Sequence, residues 1–311
     1  MKILITGVHG FVGSNLLASL TQKHTVYGLD IVSPIKKGLS FTFSWDDLDR
    51  GVIPPVDAII HLAGKAHDTK NQAAAEVYFK VNTGLTQRIY DYFRASSARK
   101  FIFFSTAKAA ADKVEGVLTE EVTPAPVGPY GESKIKAEAY ILEHPAPEKQ
   151  VYILRPCMIH GPGNKGNLNL LYSVVSKGIP WPLGAFENRR TFTSIDNLSF
   201  VIAGLLEKEV PSGIYNMGDD EAMSTNELID VICSTLGKKA HIWRLPKGMM
   251  NGVAKVGGWL HLPLNPERLR KLTENYISSN AKIKAALGID RMPVRAKDGL
   301  VKTISSFKEG M

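Results

Sequence analysis

The stretch ITGVHGFVGSNLL, Ile5 to Leu17, sets Gly7, Gly10 and Gly13 three residues apart, directly after the apolar run Ile3-Leu4-Ile5. Glycine tolerates positive φ and lets a backbone approach a ligand closely. KILIT reads as a short buried strand, and FVGSNLLASLTQK as a helix with Phe11, Leu16, Leu17 and Leu20 at helical spacing. A tight glycine turn between the two leaves unpaired N–H groups at a helix N-terminus, a place for a phosphate or pyrophosphate. Gly7, Gly10, Phe11, Val12 and Gly13 are therefore expected to line a cofactor. A tight turn without a ligand would leave the same pattern, so the next segment matters.

That segment, HTVYGLDI, is a second apolar run, and it reaches Asp30. A carboxylate about 20 residues past the glycines can accept hydrogen bonds from a ribose 2′-OH and repels a 2′-phosphate. Asp30, with Ile31 beside it, points to NAD rather than NADP. Lys36 and Lys37 are the cue in the other direction.

The chain of 311 residues is 44% hydrophobic and 22% charged, enough for one large or two modest domains. No apolar run approaches the roughly 18 residues of a spanning helix. Met1 leads straight into the first strand without a signal-peptide layout. Two cysteines, Cys157 and Cys233, are too few for a disulfide framework, so a cytoplasmic location is expected. The eight histidines show no metal-ligand spacing, and no metal is expected. The formal charge of +8 is dispersed along the chain; it suits an anionic small substrate better than nucleic acid.

Strand-like runs recur as KILIT, TVYGLD, DAIIHLAG, KFIFFST and QVYILRP, separated by helix-like EVYFKVNTGLTQRIYDYFRAS and YGESKIKAEAYILE. This alternation predicts an α/β fold with a doubly wound parallel sheet. After Gly161 the pattern loosens into helix NLNLLYSVVSKGI, strand and helix RRTFTSIDNLSFVIAGLLE, and strand GIYNMGDD. STNELIDVICSTLG predicts a helix capped by Ser224 or Thr225 and ended by Gly237. MMNGVAKVGGWLHLPL, Met249 to Leu264, fits a buried helix of a cap domain; a segment skimming a membrane is the alternative.

YGESK places Tyr130 and Lys134 four residues apart, on one face of a helix. A free tyrosine has a pKa of about 10. A cation beside it favours the phenolate, as does the positive nicotinamide of an oxidised cofactor. Such a tyrosine can take a proton from a sugar hydroxyl while hydride leaves the same carbon. Ser105 and Thr106 offer hydroxyls at the end of KFIFFST, the fourth of these predicted strands, where open α/β sheets bind ligands.

On these residues the chain resembles the extended short-chain dehydrogenase/reductases, in their NAD-dependent nucleotide-sugar epimerase/dehydratase group. TGVHGFVGSNL resembles the family's TGxxGFxG. DAIIHLAGKAH resembles its fourth-strand motif, which implies cofactor contacts at Leu62, Ala63 and Gly64. VNTGLTQRI implies the same for Asn82. PYGESK matches the tyrosine–lysine motif, so Thr106, Tyr130 and Lys134 are the implied catalytic set, with Ser105 and Pro156 near the cofactor. The Asn167-Leu168 pair, Arg190 in RRTFTSID, and Arg268 or Arg270 in ERLRKLTENYISSNAKIKAALGI fit family positions that hold the nucleotide and diphosphate; Arg270 is preferred. The resemblance implies NAD, a UDP-sugar substrate, no membrane insertion and a homodimer. It divides the chain into a Rossmann domain over 1–160, rejoined by 191–217, and a substrate lobe from 161–190 and 218–311.

Departures narrow the reaction. Dehydratases of the family carry Thr-Asp-Glu where Thr106 is followed by Ala107 and Lys108. Epimerases continue with valine, tyrosine and glycine and carry an asparagine where Met158 stands. The later segments look most like a bacterial subgroup linked to surface-polysaccharide sugars. Two reactions at C4 fit, epimerisation of a UDP-hexose or UDP-N-acetylhexosamine and reduction of a UDP-4-keto-6-deoxy-hexosamine. A non-catalytic NAD(H) sensor on the same fold is the rival of another kind; sensors tend to lose the tyrosine–lysine pair.

Overall fold

Strand β1 (Lys2–Thr6) is buried at every position after Lys2, as a run covered by helices on both faces must be. The computed structural model describes residues 1–34, 36–65, 74–164, 166–260 and 264–309. Ala66 and His67, at the end of the fourth-strand motif, lie outside them. The other strands are β2 (Thr25–Leu29), β3 (Leu39–Phe43), β4 (Ala58–His61), β5 (Lys100–Phe104), β6 (Val117–Leu118), β7 (Gln150–Pro156), β8 (Met158–His160), β9 (Phe192–Ser194), β10 (Gly213–Met217) and β11 (Ile277–Ser278). Seven of them form one sheet in the order β10-β7-β5-β4-β1-β2-β3, and every pairing in it is parallel. The chain winds outward from β1 in both directions. The crevice between β1 and β4, at their carboxyl ends, is where such sheets take ligands.

Side chains alternate across the sheet with a period of two. Ile3 and Ile5 face helices Phe11–Leu20, Ile195–Glu207 and Ala281–Leu287 through Leu16, Leu198, Ile202, Ile283 and Leu287. Leu4 faces helices Leu85–Ala95 and Pro129–Glu143 through Ile89, Phe93, Ala137 and Ile141. The doubly wound α/β reading thus describes this architecture. One expected helix, EVYFKVNTGLTQRIYDYFRAS, has a π-helical turn, Phe79–Gly84, between its α-helical parts Ala75–Tyr78 and Leu85–Ala95.

A second apolar cluster joins Leu168, Tyr172, Leu228, Ile232, Leu300 and Ile304, from helices Asn167–Ser176, Thr225–Thr235 and Ala296–Glu309. Ser224 caps the middle helix, its hydroxyl accepting from Glu227 N–H, and Gly237 follows it at φ 68°. Within 218–311, helix Ala281–Leu287 buries Ile283 and Leu287 on the sheet, with Met292.

The Met249 segment also differs from its expectation. Helix Lys247–Trp259 buries only Met250, Ala254 and Gly257. Met250 and Ala254 cluster with Leu183 and Leu269. The short helix Pro266–Thr273 beside it covers one row of side chains, and Met249, Val253, Val256, Trp259 and Leu260 remain exposed. His261, Leu262 and Pro263 of the same segment lie outside the described residues. Among the described residues no helix is long and apolar enough to cross a membrane.

Candidate functional site

The glycine turn stands where β1 meets the helix Phe11–Leu20. Gly7 sits at φ 68°, and a Cβ there would come within 2.8 Å of Ala63 N, so only glycine lets β4's continuation pass. Gly10 caps the helix without a side-chain hydrogen bond, and no acidic residue lies in its first turn. Phe11, Val12 and Gly13 form that turn, whose N–H groups and dipole suit an anion. Asp30 follows β2 directly. Its Oδ2 accepts from His9 N at 3.0 Å and its Oδ1 from Ile31 N at 2.8 Å, which ties the carboxylate to the glycine turn. The Ile31 side chain is 86% exposed beside it. Lys36 Nζ donates to Ser14 Oγ on the helix.

At the end of β4, Leu62 and Ala63 are half-buried and Gly64 is exposed. A Cβ on Gly64 would meet Asn82 Oδ1 at 2.9 Å and Lys134 Nζ at 3.2 Å. Only the missing side chain lets the chain pass this close to Asn82 and to the lysine. Asn82 lies on the π-helical turn and is fully buried. Its amide accepts from Lys65 N at 2.7 Å and donates to Lys65 O and Ser133 Oγ, so it fixes the loop after Gly64 to the helix of Tyr130. His61 is buried between Thr6 and Thr86 hydroxyls. Burial, with the Lys134 ammonium nearby, pushes its pKa well below the usual histidine range.

Pro129 opens the helix Pro129–Glu143, where a missing N–H costs nothing, and Tyr130 and Lys134 follow on one face. The Tyr130 and Thr106 side chains share a hydrogen bond. The Tyr78 ring stands edge-on to Tyr130, centroids 6.4 Å apart. Burial pushes the Tyr130 phenol above its usual pKa; the Thr106 hydrogen bond opposes this and Tyr78 adds to it. Lys134 Nζ donates to Phe104 O at 2.8 Å, at the end of β5. Burial brings its pKa down to about 8, with the Glu138 carboxylate pulling the other way. The sequence argument expected a phenolate favoured by Lys134. Burial instead dominates the phenol, which is held above its usual pKa.

Below this pair lies a group that the sequence reading did not single out. Glu138, one turn past Lys134, accepts from Arg155 Nε at 3.0 Å and Arg155 Nη2 at 2.6 Å, with both side chains shut off from solvent. Ser105 Oγ also donates to Glu138. Pro156, buried, ends β7 beside them. The i, i+4 spacing of Lys134 and Glu138 was the available signal.

On the other side of Thr106 the charges alternate. Lys108 Nζ lies 3.2 Å from Asp112 Oδ1 and 4.5 Å from the centroid of the Tyr276 ring. Asp112 lies 4.0 Å from Arg270 Nη1, and Arg270 lies 3.1 Å from Glu274 Oε2. Glu274 lies 4.0 Å from Arg190, whose guanidinium also donates to the Glu274 and Lys271 carbonyls. Arg190 and Arg270, far apart in sequence, thus meet at one carboxylate. Arg268 is an exposed residue on the same short helix as Arg270, where its N–H donates to the Asn265 cap at 2.9 Å. Asn167 is exposed at the start of its helix, whereas Leu168 is buried in the second cluster.

The match to known proteins agrees with this geometry. The model of the NAD dependent epimerase/dehydratase family matches residues 3–218. A UDP-glucose 4-epimerase of Vibrio cholerae is 31% identical over 261 residues, 79% of this chain and 78% of that protein. The N-acetyl-alpha-D-glucosaminyl-diphospho-ditrans,octacis-undecaprenol 4-epimerase of Escherichia coli O157:H7 is 27% identical over 263 residues, 81% of this chain and 78% of that protein. The structure of the Bacillus cereus UDP-glucuronic acid 4-epimerase in complex with NAD superposes with a TM-score of 0.76 at 22% identity, covering 99% of each chain. With the glycine turn, the tyrosine–lysine helix and a match to that model over residues 3–218, the chain belongs to the NAD dependent epimerase/dehydratase family, and its cofactor is NAD.

Proposed function

We propose that the chain is a 4-epimerase of a UDP-hexose or UDP-N-acetylhexosamine, serving the synthesis of surface-polysaccharide sugars. The observation that carries this reading is the Tyr130–Thr106 hydrogen bond beside the buried Lys134, at the sheet's carboxyl end. Gly7, Gly10 and Gly13 with the following helix would hold the pyrophosphate, Asp30 the adenosine ribose, and Lys134 the nicotinamide ribose. Bound NAD supplies a hydride acceptor and donor. Tyr130 takes the proton of the sugar 4-OH as the C4 hydride departs, and Thr106 orients the reacting oxygen by a hydrogen bond. Tyr130 returns the proton after the 4-keto sugar has turned its other face. The phenol's raised pKa suits this proton return, and the positive charge of oxidised cofactor favours the forward removal. Arg190 and Arg270 would hold the diphosphate, and their meeting at Glu274 supports that pairing.

Reduction of a 4-keto sugar uses the same residues and forms the second reading, favoured by the unusual Thr106-Ala107-Lys108 run. Incubation with UDP-glucose, UDP-N-acetylglucosamine and a UDP-4-keto-6-deoxy sugar, followed by NMR, separates the two. The expected result is conversion of one of the first two to its C4 epimer with no added reductant. Consumption of the keto sugar alone, dependent on NADH, would replace epimerase by reductase. Tyr130→Phe should abolish turnover and leave NAD binding largely intact, and Thr106→Ala should lose about 10²-fold or more.

A further inference from the structure

The helix Lys247–Trp259 has no place in this chemistry, and its outer face is unusual. Met249, Val253, Val256 and Leu260 recur at spacings of four, three and four, so they form one stripe along the helix. They are 46%, 49%, 54% and 52% exposed. Trp259, 80% exposed, stands at the margin of the stripe, and Trp243, 54% exposed, lies just ahead of the helix. The opposite side of the helix packs on Pro266–Thr273, the helix that carries Arg270.

The segment that carries the stripe has charge of one sign. From Val231 to Pro266 the chain has no aspartate or glutamate, and it has Lys238, Lys239, Arg244, Lys247 and Lys255. Arg244, Lys247 and Lys255 are exposed. Tryptophans and cations bordering an apolar helical face are the composition of a helix that lies in a membrane interface. A second copy of the chain fits less well. A stable protein interface engages roughly 20–30 residues a side, whereas this face offers six apolar side chains. A two-fold contact through it would also bring the same cations together.

We propose that this face docks the protein on a bilayer surface bearing anionic headgroups, with the helix lying in the plane of the interface. The stripe enters the headgroup boundary, Trp243 and Trp259 sit at its margin, and Arg244, Lys247 and Lys255 meet lipid phosphates. The expectation of no membrane insertion then holds for spanning only. Docking in this pose brings the helix of Arg270, and with it the sugar cleft, next to the headgroup plane. The proposal stands whether the site epimerises or reduces its substrate.

The test is sedimentation of the full chain, loaded with NAD, with vesicles of phosphatidylcholine alone or mixed with phosphatidylglycerol. The wild type should sediment with the anionic vesicles, bind the neutral ones more weakly, and be released by salt. Tryptophan emission should shift to the blue on binding, and Trp259→Ser should remove most of the shift. Val256→Asp, at an exposed position, should weaken vesicle binding by about tenfold, and Lys247→Glu with Lys255→Glu should remove the preference for anionic lipid. Wild-type protein that stays in the supernatant with anionic vesicles overturns the proposal. So does Val256→Asp binding as well as wild type. If Val256→Asp instead breaks a dimer in sedimentation velocity, with vesicles unbound by either form, the face is a contact between copies and the bilayer reading fails.

Discussion

Asp30 uses one lone pair of each carboxylate oxygen on a backbone N–H, from His9 and from Ile31. Each oxygen keeps capacity for a ribose hydroxyl, while a 2′-phosphate would face a fixed negative charge. Titration of both cofactors should find NAD bound at least about tenfold more tightly than NADP, a difference of about 1.4 kcal/mol; equal affinities would remove this role from Asp30. Cys157 offers a second residue-level check. Burial pushes its thiol up to about 12, so at pH 8 it is protonated and unreactive. Iodoacetamide at pH 8 should leave Cys157 unmodified in the folded protein and label it once denaturant is added. Labelling at native rates typical of exposed thiols would mean that the β7–β8 junction opens. The positions of the glycine turn, Asp30, Tyr130 and Lys134 at the sheet's carboxyl end could be read from sequence because each proposed role demands a particular residue type at a fixed spacing. Ser105 shows what such spacing does not carry: its bond to Glu138 joins residues 33 apart and follows only from the packing of that helix on the sheet.

The helix Pro129–Glu143 carries the proposed acid/base residues on its first turns and a buried ion pair on its third. Removing the Glu138 charge acts on both. The carboxylate raises the pKa of Lys134, so Glu138→Gln should carry that value below about 8 and move the alkaline limb of the pH–rate profile to lower pH. The same change leaves Arg155 buried without its charge partner, which costs about 3–5 kcal/mol and should lower Tm. A normal pH profile in a destabilised variant would leave Glu138 as a purely structural group. Elements of this kind were legible where one helix face or one strand run decides them. Six of the seven strands of the main sheet follow their apolar runs, and Ser224 and Gly237 bound their helix as cap chemistry requires; the seventh, β3, is a half-exposed edge strand whose LSFTF was not read as one. The π-helical turn of Asn82 was not legible, because nothing in FKVNTG distinguishes it from α-helix. The exposed stripe of Lys247–Trp259 was not legible either: apolar periodicity says that a helix has a greasy face, and only the neighbours decide how much of it is covered.

At the scale of the whole molecule, the alternating row from Lys108 to Arg190 exists because segments distant in the chain meet over the cleft. The pairs Lys108–Asp112 and Arg270–Glu274 are visible as i, i+4 spacings, but their convergence is a product of the fold. A charge-assisted contact to a diphosphate is worth roughly 1.5–3 kcal/mol. Arg190→Ala and Arg270→Ala should each weaken UDP binding by about 10- to 100-fold, at 1.4 kcal/mol per decade, with NAD affinity unchanged. UDP binding equal to wild type in either variant would return that arginine to a structural role, which for Arg190 is already visible in its bonds to the Lys271 and Glu274 carbonyls. The position of β10 carries one more consequence. It closes the sheet beside β7, yet the chain makes everything from Cys157 to Ser212 between them. At roughly 5–20 residues per second of synthesis, a nascent chain holds β7 as an open strand edge for several seconds, with Ile153 and Leu154 on it, before its partner leaves the ribosome.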